Sequence, residues 1–164
     1  MTEAFNIMEL PAEKVARYAR VGGEIAAVLL GETNLLARMA TVVSMLSSSF
    51  EHYSWTGFYL VDPEREEELV VGPYQGSLGC LRIAFGRGVC GTAARTREIQ
   101  IVEDVHAFPG HIACDSGSVS EIVVPVIDGS GRLIAVFDVD STQPAAFDRA
   151  DAEGLDQILR ETFA

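Results

Sequence analysis

The sequence predicts an α+β domain in which helices cover an antiparallel β-sheet. Three observations carry this. The first third is apolar at helical spacing, the middle and end read as strands joined mostly by short turns, and an amphipathic stretch closes the chain. In the helical third, Pro11 suits a first helical turn, and the helix it opens is expected to weaken at Gly22-Gly23. Thr33 or Asn34 can cap a second helix through "LLARMATVVSMLSS". "WTGFYLV" and "ELVVGPY" are two strands around "DPEREEE", whose charges read as a solvated hairpin tip. "CLRIAF" and "IQIVED" are further strands, with a short helix in "VCGTAART" between them. "EIVVPVI" and "RLIAVFDVD" flank "DGSG", a strong hairpin signal. Asp148 then begins a last helix, "DRADAEGLDQILRETF". Residues 103–120 form a connection longer than an ordinary loop, which marks it for function.

The bulk numbers narrow the function. A chain of 164 residues, 48% hydrophobic, can bury one proper core. Its net charge is −12, and its 12 Lys and Arg residues form no basic cluster, which argues against nucleic acid and anionic membrane as partners. No apolar stretch approaches a membrane span, and "MTEAFNIMELPAEK" lacks the basic and apolar regions of a secretory signal. Three cysteines, an odd number, suit a reducing compartment better than a disulfide framework, so a cytoplasmic location is expected.

Several groups of residues invite a chemical reading. "GRGVCG" at 86–91 has G-x-G-x-x-G spacing, but too little chain separates the flanking strands for a crossover helix. Its glycines serve a tight strand-to-helix turn better than a dinucleotide. His106, His111 and Cys114 include an H-x-x-C pair, yet no second pair completes a zinc set, so no metal is expected. Cys80 at a strand entrance reads as a buried thiol. Cys90 at a helix start is open to either packing or reactivity. Cys114 differs, because it lies in the polar stretch "GHIACDSGSVSE". Asp138 and Asp140 share one face of a strand, with Glu121 on the partner strand. The three acids are either a solvated face or a pocket for a cationic group. Trp55 and Tyr59, four apart on a strand, fit a core or the wall of an apolar site equally well.

"SWTGFYL", "LVVGPYQG", "GRGVCGTA", "VEDVHAFPGHIACD", "SEIVVP" and "DVDS" occur in this order. Together they closely resemble the free methionine-(R)-sulfoxide reductases, stand-alone GAF-domain enzymes. The similarity runs from about Gly31 to the C-terminus. It implies a GAF-like catalytic domain over 31–164, with residues 1–30 as a helical extension. It also implies thiol-dependent reduction of free methionine (R)-sulfoxide with no cofactor beyond an external thiol reductant, thioredoxin, in a homodimer. By motif, Cys114 would be the nucleophile, Cys80 the resolving thiol and Cys90 an auxiliary one. Trp55 and Tyr59 would wall the substrate methyl group. Glu121, Asp138 and Asp140 would hold its amino group and assist protonation, and the backbone around Ile112, Ala113 and Cys114 would meet its carboxylate. The chain departs from the pattern at Ser54, where Asn is usual, Ser77 (Lys), Ala84 (Pro) and "FDVDS" ("LDIDS"), none of them a proposed catalytic group. The alternative from another class is a GAF module that binds a small ligand without catalysis.

Overall fold

The computed structural model describes residues 11–112, 114 and 117–164. Helices α1 (Pro11–Val28) and α2 (Leu35–Ser49) come first. Strands β1 (Trp55–Asp62), β2 (Arg65–Gln75) and β3 (Arg82–Ala84) follow, then helix α3 (Gly88–Thr96) and strand β4 (Gln100–Val102). After a 3-10 turn at Val105–Ala107 the chain ends in β5 (Ser120–Ile127), β6 (Leu133–Ser141) and α4 (Arg149–Phe163). The strands form one sheet in the order β3-β2-β1-β6-β5-β4, with every neighbouring pair antiparallel. β3 and β4 flank α3 in sequence but lie at opposite edges of the sheet, so the "GRGVCG" turn belongs to no βαβ unit.

Local chemistry sets the helix starts. Asn34, and not Thr33, caps α2: its side chain accepts the Ala37 N–H at 3.0 Å. Asp148 and Asp151 form a reciprocal capping box at α4.

Two expected boundaries are corrected. α1 runs unbroken through Gly22-Gly23. A Cβ at Gly22 would lie 3.1 Å from Ile158 Cγ1, so the missing side chain allows α4 to pack closely, and that packing outweighs glycine's propensity cost of about 1 kcal/mol. The hairpin tip is also tighter than "DPEREEE", because β2 already begins at Arg65. The Glu68 carboxylate in this run accepts from Arg82 on β3 at 3.0 Å, and the charges therefore decorate a strand.

The period of two along each strand divides the molecule into two layers. Phe58, Ile122, Val124, Phe137 and Val139 face α1, α2 and α4 and pack with Val21, Ile25, Met39, Leu46 and Leu155. Trp55, Tyr59, Val123 and Val136 face the other way, toward α3 and the long connections, among Ile83, Val89, Ala93 and Val105. That second face carries Asp138 and Asp140. No described helix is long and apolar enough to cross a membrane.

A buried polar network fastens α1 to α4. Lys14 Nζ donates to Asp151 Oδ2 at 2.7 Å, and Tyr18 Oη donates to Asp151 Oδ1 at 2.7 Å. The Tyr18 and Tyr53 hydroxyls lie 2.5 Å apart, and Asp151 is wholly buried. Burial pushes the Tyr18 hydroxyl well above its ordinary range, so it stays a neutral donor. Tyr18→Phe keeps the ring but strands an Asp151 oxygen and the Tyr53 hydroxyl. We expect a loss of about 1–3 kcal/mol in urea denaturation. An unchanged midpoint would mean that water replaces the hydroxyl and the network does not hold the helices.

A candidate redox site on the second face of the sheet

The site is a cleft of about 480 Å³, counted to its open mouth, between the sheet, the start of α3 and the residues His111, Ile112, Cys114 and Ser118. Its floor comes from the central strands. Register sets Glu121 of β5 directly opposite Asp140 of β6, and Asp138 lies two residues along on the same face. All three carboxylates are buried, which excludes a solvated strand face.

Their surroundings shift their chemistry. Burial and the facing charges of Asp138 and Asp140 push the Glu121 carboxyl well above its ordinary range. Burial raises Asp138 to about 6. Near neutral pH the floor therefore combines a carboxyl that holds its proton with a charged neighbour, a pattern suited to proton donation. Asp138 Oδ1 has no hydrogen-bond partner among the described residues.

Cys90 enters from the first turn of α3 and is 4% exposed, with Sγ 3.9 Å from Glu121 Oε1. Desolvation, and after it the charge of Asp138, pushes its thiol well above the ordinary range. The helix N-terminus does not activate it. One donor atom from each of Cys90, Glu121 and Asp138 lies within 4.8 Å of the others, a set able to surround a small cation or an ammonium group.

One wall is aromatic. Trp55 and Tyr59 of β1 stack with centroids 5.7 Å apart at 18°, and Tyr74 of β2 stacks behind Trp55 at 5.1 Å. Gly79 lets the next loop lie flat on this wall: a Cβ there would come within 2.9 Å of Trp55 Cζ2 and 3.0 Å of Tyr59 Oη. Trp55 Nε1 donates to the Ser77 carbonyl at 2.9 Å, a backbone contact that leaves the side chain at 77 free to vary.

The thiol chemistry adjoins this wall. Cys80 and Cys114 are joined by a disulfide with Cα atoms 5.2 Å apart, and Cys114 lines the cleft. Cys80 is thus a disulfide partner at half-burial, not the buried packing thiol its strand entrance suggested. Cys114 has its sulfur bonded to Cys80, and His106 pairs with Asp104 at 3.0 Å, so the H-x-x-C pair is not assembled as metal ligands. His111 lines the cleft, where partial burial and then the nearby His106 lower its pKa.

Of the residues singled out from sequence, the cleft gathers Trp55, Tyr59, Cys90, Ile112, Cys114, Glu121, Asp138 and Asp140, with Cys80 bonded to Cys114. Ala113 lies outside the described residues. Sequence reasoning passed over Ser118, Arg87 and Tyr74. The Ser118 hydroxyl is buried on the cleft without a partner among the described residues, and nothing separates it from other serines of its loop in sequence. Arg87 offers the cleft a cation from inside the glycine turn.

A mixed antiparallel sheet-and-helix fold with a buried ligand cleft closed by a disulfide defines a small-molecule-binding module equipped for thiol exchange. The GAF domain model matches residues 31–161, so the chain belongs to the GAF-domain family. Within that family it is similar to a free methionine-R-sulfoxide reductase of Escherichia coli, 42% identical over 90% of this chain and 87% of the relative. A second enzyme of that name, from Saccharomyces cerevisiae, is 40% identical over 79% of this chain and 74% of the relative. The X-ray structure of a free methionine-R-sulfoxide reductase from Neisseria meningitidis in complex with its substrate is 45% identical. It has a TM-score of 0.86 and covers 91% of this chain and 87% of that one.

Proposed function

We propose that the protein reduces free methionine (R)-sulfoxide to methionine by thiol chemistry that needs no cofactor beyond an external reductant. The observation that carries this reading is the Cys80–Cys114 disulfide set against a buried, partly protonated carboxylate floor. A ligand-binding module without catalysis has no use for that disulfide.

In the reduced protein, Cys114 attacks the sulfoxide sulfur while the Glu121 carboxyl gives its proton to the oxygen. The sulfur–sulfur bond so formed and the sulfur–oxygen bond both break as the protonated oxygen passes to Cys114 Sγ, so methionine leaves with the electron pair and Cys114 is oxidised to a sulfenic acid. The Cys80 thiol attacks that sulfur, water departs, and the disulfide forms. Two electrons and two protons from a dithiol then restore both thiols. The Trp55–Tyr59 wall suits the substrate methyl group, and Asp138 and Asp140 face its ammonium. Backbone groups around Ile112 and Arg87 on the cleft suit its carboxylate. Cys90, held protonated beside Glu121, is an auxiliary group that steadies the floor.

The reading extends to thioredoxin as reductant and to a cytoplasmic homodimer. The exposed apolar side chains Val28, Leu30, Leu35 and Leu36 at the α1–α2 junction support self-association.

Turnover of free methionine (R)-sulfoxide with dithiothreitol tests the reading directly. Cys80→Ser sharpens it, because a small dithiol can attack the sulfenic acid without a resolving thiol. We expect this variant to keep part of its dithiothreitol turnover and to lose its turnover with thioredoxin. Equal rates with both reductants would remove Cys80 from the cycle.

A further inference from the structure

Leu78 and Leu81 stand on either side of Cys80 and are 77% and 68% exposed. The backbone between them is tied down. Ser77 accepts from Trp55 Nε1 at 2.9 Å, Gly79 lies against the Trp55–Tyr59 wall, and Leu81 accepts from Val71 N at 3.0 Å. A loop pinned through its carbonyls and its glycine leaves these two leucine side chains turned to solvent. The segment 76–81 also has no charged side chain, in a protein of net charge −12. An uncharged apolar window thus frames one sulfur of the redox disulfide.

We propose that Leu78 and Leu81 form the docking surface for a protein dithiol of the thioredoxin class, which reduces the Cys80–Cys114 disulfide through Cys80. The proposal rests on the reductase reading. A thiolate of the docked protein attacks Cys80 Sγ, the Cys80–Cys114 bond breaks, and Cys114 leaves as a thiolate and takes a proton. The donor's second thiol then attacks its own sulfur in the mixed disulfide, releasing the Cys80 thiol and leaving the donor oxidised. Attack at Cys80 frees the nucleophile first, inside the cleft where substrate binds. Two leucines give a small contact, in keeping with a transient redox encounter at the low end of interface sizes. A small thiol such as dithiothreitol, with no apolar rim to dock, gains nothing from them.

The test compares wild type with the double variant Leu78→Ser/Leu81→Ser in turnover of free methionine (R)-sulfoxide. One arm uses thioredoxin kept reduced by its reductase, the other dithiothreitol. We expect kcat/KM for thioredoxin to fall about tenfold or more, from the lost burial of two leucines, with the dithiothreitol rate unchanged. Leu78→Met/Leu81→Met, which restores an apolar surface, is expected to restore the thioredoxin rate. An unchanged thioredoxin rate overturns the proposal, as does an equal loss with both reductants, which would mark the leucines as structural. A shift of the double variant from dimer to monomer with the thioredoxin rate kept would assign the window to a second copy of this chain. Absence of dithiothreitol turnover in the wild type would defeat the reductase reading itself.

Discussion

Cys114→Ser is expected to reduce no methionine sulfoxide under any reductant, a loss of at least about a thousandfold, because removing a nucleophile alone forfeits most of an enzyme's acceleration. Cys90 cannot take over as nucleophile. Cys90 faces the same cleft, but it is 4% exposed and its thiol is held protonated by burial and by the charge of Asp138. A protonated thiol is a poor nucleophile. Serine in place of Cys114 leaves the aromatic wall and the carboxylate floor intact, so substrate binding should persist in isothermal titration while turnover vanishes. Turnover of Cys114→Ser near the wild-type rate would move the nucleophile elsewhere and reduce the Cys80–Cys114 bond to a structural staple.

Much of this site is legible in the sequence because strand periodicity is a strict rule. Residues two apart on a strand share a face, so "FDVDS" and "EIVVP" together place three acids on one surface. Their burial is not legible, since alternation alone fits a solvated face as well. It takes α3 together with His111, Ile112, Cys114 and Ser118 around the cleft to remove those carboxylates from water, and that closure is a long-range event with no local signature. The cysteines divide in the same way. The polar setting of Cys114 marks it as reactive from its own neighbours, whereas those of Cys80 suggest a packing thiol, and only the family resemblance points to a resolving role. The helix through Gly22-Gly23 was hidden for a related reason, because the Ile158 contact that favours it comes from the far end of the chain. Ser118 gives no signal at all, because its burial on the cleft depends on the fold and nothing in the sequence separates it from the other serines of its loop.

The carboxylate floor also predicts that the substrate is the free amino acid and not a peptide residue. Glu121, Asp138 and Asp140 are 6%, 5% and 8% exposed, and Asp138 Oδ1 has no partner among the described residues. A substrate ammonium brings three donors and a positive charge to this place. A peptide-bound or N-acetylated sulfoxide brings one N–H and no charge, so carboxylate that the ammonium would neutralise stays buried and unpaired. Removing one partner of a buried charge pair costs about 3–5 kcal/mol. At 1.4 kcal/mol per tenfold, this range corresponds to roughly a hundred- to several-thousandfold discrimination. The protonated Glu121 carboxyl carries no charge that needs pairing, which sets the expectation at the low end. N-acetylmethionine (R)-sulfoxide keeps the reacting sulfur and the carboxylate and differs only at the nitrogen. We expect its kcat/KM to be at least about a hundredfold below that of the free amino acid, by selective loss of an interaction the site is built to make. Comparable values for the two compounds would refute the ammonium pocket and leave the three acids to proton transfer alone.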